Sequence, residues 1–130
     1  MTDRLPAAVA ALRDAINSAS ASAVAACFAD DYEATLPMHP SRDFTGSEQV
    51  EKNWTVIFSQ LTAVHAEVLR HAVHDDEVWS EWEITGTSPG GSPALLRGPV
   101  IWTESDGRVA TARFYLDPVT ERPAGDSTRD

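Results

Sequence analysis

The chain has 130 residues, a length that fits one compact domain. Its composition is ordinary for a globular core, with 42% apolar and 23% charged residues. Twenty acidic against ten basic residues give a formal charge of -10, which repels nucleic-acid phosphates and anionic lipid, so neither is an expected partner.

The first segment reads as a helix. Leu5, Val9, Leu12 and Ile16 recur at helical spacing and make one apolar stripe. Asp3 suits the N-cap, and Pro6 suits the first turn, where its missing N–H costs nothing. "NSASAS" breaks the pattern, and Ser20 or Ser22 then caps a short helix through Phe28. Cys27, the only cysteine, falls in that apolar stretch as an inert thiol, and no internal disulfide is possible. "DYEATLP" alternates Tyr32, Ala34 and Leu36 with polar residues, as a half-buried strand does. "PMHPSRDFTG" is a loop. A third helix starts near Ser47, capped by Ser47 or Thr45. Val50, Trp54, Ile57, Phe58 and Leu61 form its apolar face.

After Leu61 the period becomes two. "AVHAEVLRHAVHDDEVWSEWEITGT" reads as two strands joined at "DD", and "PALLRGPVIWTESDGRVATARFYLDP" as two more joined at "DG". The polar tail 119–130 lacks periodicity and is expected to be flexible, leaving a single domain over 1–118. No apolar run reaches the roughly 18 residues of a membrane helix, and the N-terminus lacks a signal-peptide pattern. A cytoplasmic location is expected. Three helices with an early strand, then four long antiparallel strands, define an α+β class, with helices segregated on one face of a sheet.

Hairpin register decides which side chains face inward, because a slip of one residue flips every side chain. A two-residue turn at Asp75–Asp76, or a four-residue loop from His74 to Glu77, gives the same pairing. It sets Val73 opposite Val78, His71 opposite Ser80, Arg70 opposite Glu81, Leu69 opposite Trp82 and Glu67 opposite Ile84. The Trp82 face is then interior and carries His65, Glu67 and His71. A three-residue loop would reverse these faces. In the last hairpin, "ESDGRV" suits a three-residue bulged loop pairing Glu104 with Arg108. That puts Val100, Trp102, Ala110, Ala112, Phe114 and Leu116 inward. Arg113, Tyr115 and Asp117 then face outward.

The order of elements resembles the nuclear transport factor 2-like superfamily, and within it the SnoaL-like, polyketide cyclase-like branch. The resemblance rests on "ACFADDYEATLP", "FTG" before a helix, "WEITGT" and "DGRVATARFYLDP", and covers roughly Leu5 to Pro118. It implies a cone-shaped α+β barrel, a small-molecule pocket inside the cone, and a homodimer formed through the outer sheet face. Trp79, Tyr115, Ile101, Arg113, Glu81 and Glu83 lie on that face. The resemblance also implies acid/base groups at inward positions of the last strand, where this chain has Phe114 and Leu116. Hydrolase-type Arg and Asp positions fall on Trp82 and Ile84. The inherited catalytic set is therefore missing.

The remaining site candidates come from the residues themselves. Trp54, Phe58, Trp82, Trp102, Phe114 and Leu116 would line an apolar cavity suited to an aromatic or polyketide-like compound. Tyr32, His39, His71 and Glu67 are the polar groups for proton transfer, since imidazole can exchange a proton near neutral pH. The expectation is a cofactor-independent cyclase, isomerase or dehydratase. The alternative is a non-catalytic ligand-binding or dimerisation module. No metal is expected, because His71 and His74 point to opposite faces of a strand.

Overall fold

A computed structural model describes residues 4–120. Helix α1 (Ala7–Asn17) begins after Pro6 and buries Val9, Leu12 and Ile16, the stripe read from the sequence. Helix α2 (Ala21–Ala25) is capped by Ser20, whose Oγ accepts from the Ala23 N–H at 3.1 Å. It stops earlier than expected, and Phe28 opens strand β1 (Phe28–Thr35) instead of closing the helix. A 3-10 turn (Pro40–Arg42) and the two-residue strand β2 (Phe44–Thr45) lead to helix α3 (Ser47–Gln60). Neither Ser47 nor Thr45 caps α3. Gly46 holds the N-cap position and no side chain bonds there. The Asp3 cap and the tail from residue 121 onward lie outside the described residues.

Four long strands follow: β3 (Thr62–His74), β4 (Glu77–Thr87), β5 (Pro93–Ser105) and β6 (Arg108–Phe114). A last short strand, β7 (Asp117–Pro118), pairs with β5. The sheet order is β2-β1-β6-β5-β4-β3. All pairs are antiparallel except β1 with β6, which run parallel. The helices cover one face of this curved sheet, which is the expected α+β cone.

The core lies between helices and sheet. Trp82 and Trp102 are its largest side chains, each 1% exposed. Burying a side chain of this kind contributes about 1.5–3 kcal/mol. Their indole N–H groups are satisfied. Trp82 donates to Ser80 Oγ at 2.7 Å and Trp102 to Glu104 Oε2 at 2.9 Å. Asn17, at the end of α1, bonds both backbone groups of Ala66 on the edge strand β3 (2.6 and 3.2 Å). That pair anchors α1 to the sheet and occupies part of an otherwise open edge.

Two registers differ from expectation, and each for a local reason. The β3–β4 turn is the two-residue Asp75–Asp76, and Val73–Val78, His71–Ser80 and Arg70–Glu81 pair as read. Leu69 then bulges out, so Val68 faces Trp82 and Glu67 faces Glu83. One extra residue inverts every side chain beyond it. Glu67 and His65 therefore leave the interior and are exposed. In the last hairpin the turn is the tight Asp106–Gly107, both at positive φ, with Ser105 opposite Arg108. The bulge falls at Ala110 and not in the turn. Trp102 consequently pairs with Ala112, and Val109 replaces Ala110 in the core. The face holding Val100, Trp102, Ala112 and Phe114 is unchanged, because the displacement is two residues.

Gly98 controls the end of the sheet. The ladder of β6 with β5 breaks after Phe114 and resumes in the same register at Arg97–Asp117 and Leu96–Pro118. The break lies against Gly98, where an added Cβ would collide with the Tyr115 carbonyl; Gly98 also sits at φ +148. Only glycine fits there. Leu116 lines the cavity beyond the break, and Asp117 meets His39. Gly98→Ala is expected to cost about 1–3 kcal/mol through overpacking alone. Chemical denaturation will measure the loss, and an unchanged midpoint would mean that this close approach does not hold the strand.

Candidate functional site

A half-open cavity of about 180 Å³ lies between α3 and the sheet. Strand β1 and its following turn supply Phe28, Tyr32 and Leu36, and β2 supplies Phe44. Helix α3 contributes Val50, Asn53, Trp54 and Ile57. The far wall is Leu96, Phe114 and Leu116. The walls are mainly aromatic and aliphatic because three apolar faces converge without filling the space. Only Val50 on α3 is fully buried, so the aromatic side of that helix looks into the cavity.

Tyr32 is the unusual member. It is fully buried, packed against Phe28 (ring centroids 4.5 Å) and edge-on to Phe44 (5.8 Å). Its hydroxyl finds no hydrogen-bond partner among the described protein groups. Burial pushes its pKa well above the ordinary tyrosine range, so the phenol keeps its proton. The second polar group is Asn53, whose Oδ1 accepts from Gln49 Nε2 at 2.8 Å.

His39 and Asp117 meet at the rim. Their side chains come from positions 78 residues apart and approach to 2.9 Å, Nε2 to Oδ1. The turn after β1 carries His39, whose backbone N–H donates to the Leu36 carbonyl, and β7 carries Asp117. Both segments also place a cavity wall, Leu36 and Leu116. Asp117 thus faces His39 rather than an outer surface. The pair leaves the second imidazole nitrogen free of any described partner. This fits a histidine held in one orientation by a carboxylate.

Other expected site residues lie elsewhere. Phe58 packs on Trp54 (5.4 Å) outside the lining. Trp82 borders only a residual void of about 10 Å³ deeper in the core, and Trp102 lines neither space. His71 borders an open groove beside Trp79 and Glu81. Glu67 is on the outer face, through the Leu69 bulge. Sequence reading missed Asn53 and Asp117. Asn53 lies on the expected helix face, one residue before Trp54, and its spacing was a usable signal. Asp117 had none, because its partner His39 lies 78 residues away in a loop. Cys27 is half-buried and its pKa is raised by burial. Among the described residues no group of three or more His, Cys, Asp or Glu converges as metal ligands would. No helix among them is long and apolar enough to cross a membrane.

With this geometry, the comparisons place the chain. Its fold is that of the nuclear transport factor 2-like, ketosteroid isomerase-like proteins. A Catenulispora acidiphila protein of ketosteroid isomerase-like fold, solved with trimethylamine, is similar at TM-score 0.76 and 18% identity, over 86% of this chain and 87% of that one. A candidate polyketide cyclase from Sinorhizobium meliloti is similar at TM-score 0.65 and 25% identity, over 84% and 94%. An epoxide hydrolase-like protein from M. tuberculosis is similar at TM-score 0.70 and 17% identity, over 85% and 80%. The SnoaL-like domain family matches residues 9–112, and the chain belongs to that family. No curated protein matches the sequence significantly.

An unpartnered buried hydroxyl costs about 1–3 kcal/mol. Tyr32→Phe is therefore expected to stabilise the ligand-free protein by about 1 kcal/mol, a gain of a few degrees in Tm at neutral pH. A drop in Tm would show that the hydroxyl is already bonded.

Proposed function

We propose that this SnoaL-like protein binds a small apolar or aromatic molecule in the cavity under α3 and catalyses proton transfer on it without a cofactor. The observation that carries this reading is the mainly apolar cavity with Tyr32 in its wall and the His39–Asp117 pair at its rim. A binding site needs few polar groups in an apolar wall, and this cavity has two. Tyr32 donates a hydrogen bond to a carbonyl oxygen of the ligand. It cannot act as the base, since it holds its proton. His39, oriented by Asp117, is the group that exchanges a proton at the rim. Cyclisation, isomerisation and dehydration all need such a donor and such a base. Solved relatives named for polyketide cyclases and ketosteroid isomerases make the same reaction types the reasonable class here.

A second reading has its own support. Phe114 and Leu116 stand where the family resemblance implies acid/base groups, and His39 is absent from the lining. This favours a non-catalytic ligand-binding module. Exchange of α-protons in D₂O, followed by NMR on enolisable cyclic ketones, separates the two. The catalytic reading expects His39→Gln to slow exchange by about 100-fold or more, with binding largely kept. Exchange no faster than buffer with the unaltered protein would establish the binding module instead.

The partner surface is the outer sheet face. Trp79 is 44% exposed there, beside nearly buried Ile101 and the cross-strand pairs Arg97–Glu83 (2.8 Å) and Arg70–Glu81 (4.0 Å). A shallow groove runs between Trp79, Glu81 and Pro99. The proposed occupant is a second copy of the chain, because an exposed Trp ringed by charges of both signs is self-complementary about a two-fold axis. Light scattering at micromolar concentration is expected to give a dimeric mass, and Trp79→Glu a monomeric one. A monomeric mass for the unaltered protein contradicts the dimer.

A further inference from the structure

The cavity under α3 continues outward into a wider hollow of about 520 Å³, and the two share Leu36, Phe44, Asn53 and Ile57. The outer hollow adds Arg42, Gln49 and Val56, which is 59% exposed on α3. Among the described residues lining the two spaces, Arg42 is the one charged side chain, and it is positive. It stands there in a chain with twenty acidic and ten basic residues. An apolar path that leads from the core to a single cation has the polarity of an amphiphile.

The turn that carries Arg42 is fixed by its own hydrogen bonds. The His39 N–H donates to the Leu36 carbonyl (2.9 Å), the Arg42 N–H to the His39 carbonyl (2.8 Å) and the Leu36 N–H to Asp43 Oδ1 (2.7 Å). That last bond engages the carboxylate next to Arg42 in the sequence. Asp117, the acid at the rim, is engaged by His39 (2.9 Å). Among the described residues no carboxylate lies within 4.0 Å of the Arg42 guanidinium, whereas Arg13, Arg70, Arg97 and Arg108 each have one. A guanidinium presents its donors as a planar fork that matches a carboxylate. The chain's more distant acids are screened beyond about 10 Å at ordinary salt, so the local cation decides which sign of charge is favoured at this mouth.

We infer that Arg42 selects an anionic ligand at the cavity mouth: an elongated apolar molecule ending in a carboxylate, with its apolar body under α3 and its carboxylate on the guanidinium. This rests on the cavity being the binding site, as proposed above. Octanoate is the matching probe. Octanol has the same body with a neutral end, and octylamine has it with a positive end.

NMR titration of the full chain at neutral pH and low salt, following the indole N–H of Trp54 in the cavity wall, tests the inference. Octanoate is expected to bind about fivefold more tightly than octanol, and octylamine more weakly than either. Arg42→Gln replaces an exposed side chain and is expected to erase the gap between octanoate and octanol. Arg42→Glu is expected to put octylamine first. Equal binding of octanoate and octanol to the unaltered protein, or a preference for octanoate that survives Arg42→Gln, overturns the role of Arg42 and leaves the cavity as the site. A Trp54 signal that none of the three compounds moves overturns this inference and the cavity reading together.

Discussion

The site depends on one unmet interaction: a phenol hydroxyl sealed among Phe28, Phe44 and the cavity wall with no protein acceptor. Such a group costs stability unless something supplies an acceptor. Trp82 and Trp102 make the contrast. Each is as deeply buried, and each has its N–H satisfied. A core that meets its other large polar donors but leaves this one open is what the proposed binding site would require.

Three local devices then build the enclosure around that hydroxyl. The Leu69 bulge turns Ala66 and Val68 toward Trp82 and sends the Glu67 charge outward. The strand interrupted at Gly98 resumes in register, with Leu116 in the cavity wall and Asp117 against His39. Trp54 and Ile57 of α3 wall the cavity opposite Phe114 and Leu116. Removing a charge from the interior and adding an apolar wall both lower the local polarity. The same low polarity holds the Tyr32 proton and strengthens any hydrogen bond it gives.

How much of this was legible in the sequence follows from what each feature depends on. The helical stripe of Val9, Leu12 and Ile16 and the period-two runs after Leu61 are local patterns, and they yielded the elements and the α+β class. Face assignment held wherever an even displacement was involved, as for Trp102 and Phe114. It failed at Glu67, where a single bulged residue, Leu69, has no distinctive side chain to announce it. Tyr32 was legible as an inward strand residue. Its missing partner was not, because satisfaction of a hydroxyl depends on every element packed around it. The His39–Asp117 pair was invisible for the same reason, since it joins side chains 78 residues apart.

Titration of Tyr32 tests the central claim most directly. Burial raises its folded-state pKa above the unfolded value of about 10. The protein therefore keeps its full stability below that pH and loses stability as pH rises toward the folded pKa, because the unfolded chain releases a proton that the folded one holds. Tyr32 labelled for carbon-13 NMR is predicted to stay protonated as long as the chain stays folded, ionising only as alkaline unfolding proceeds. Reversible ionisation near pH 10 in the folded protein would contradict the account, because it would place the hydroxyl in water.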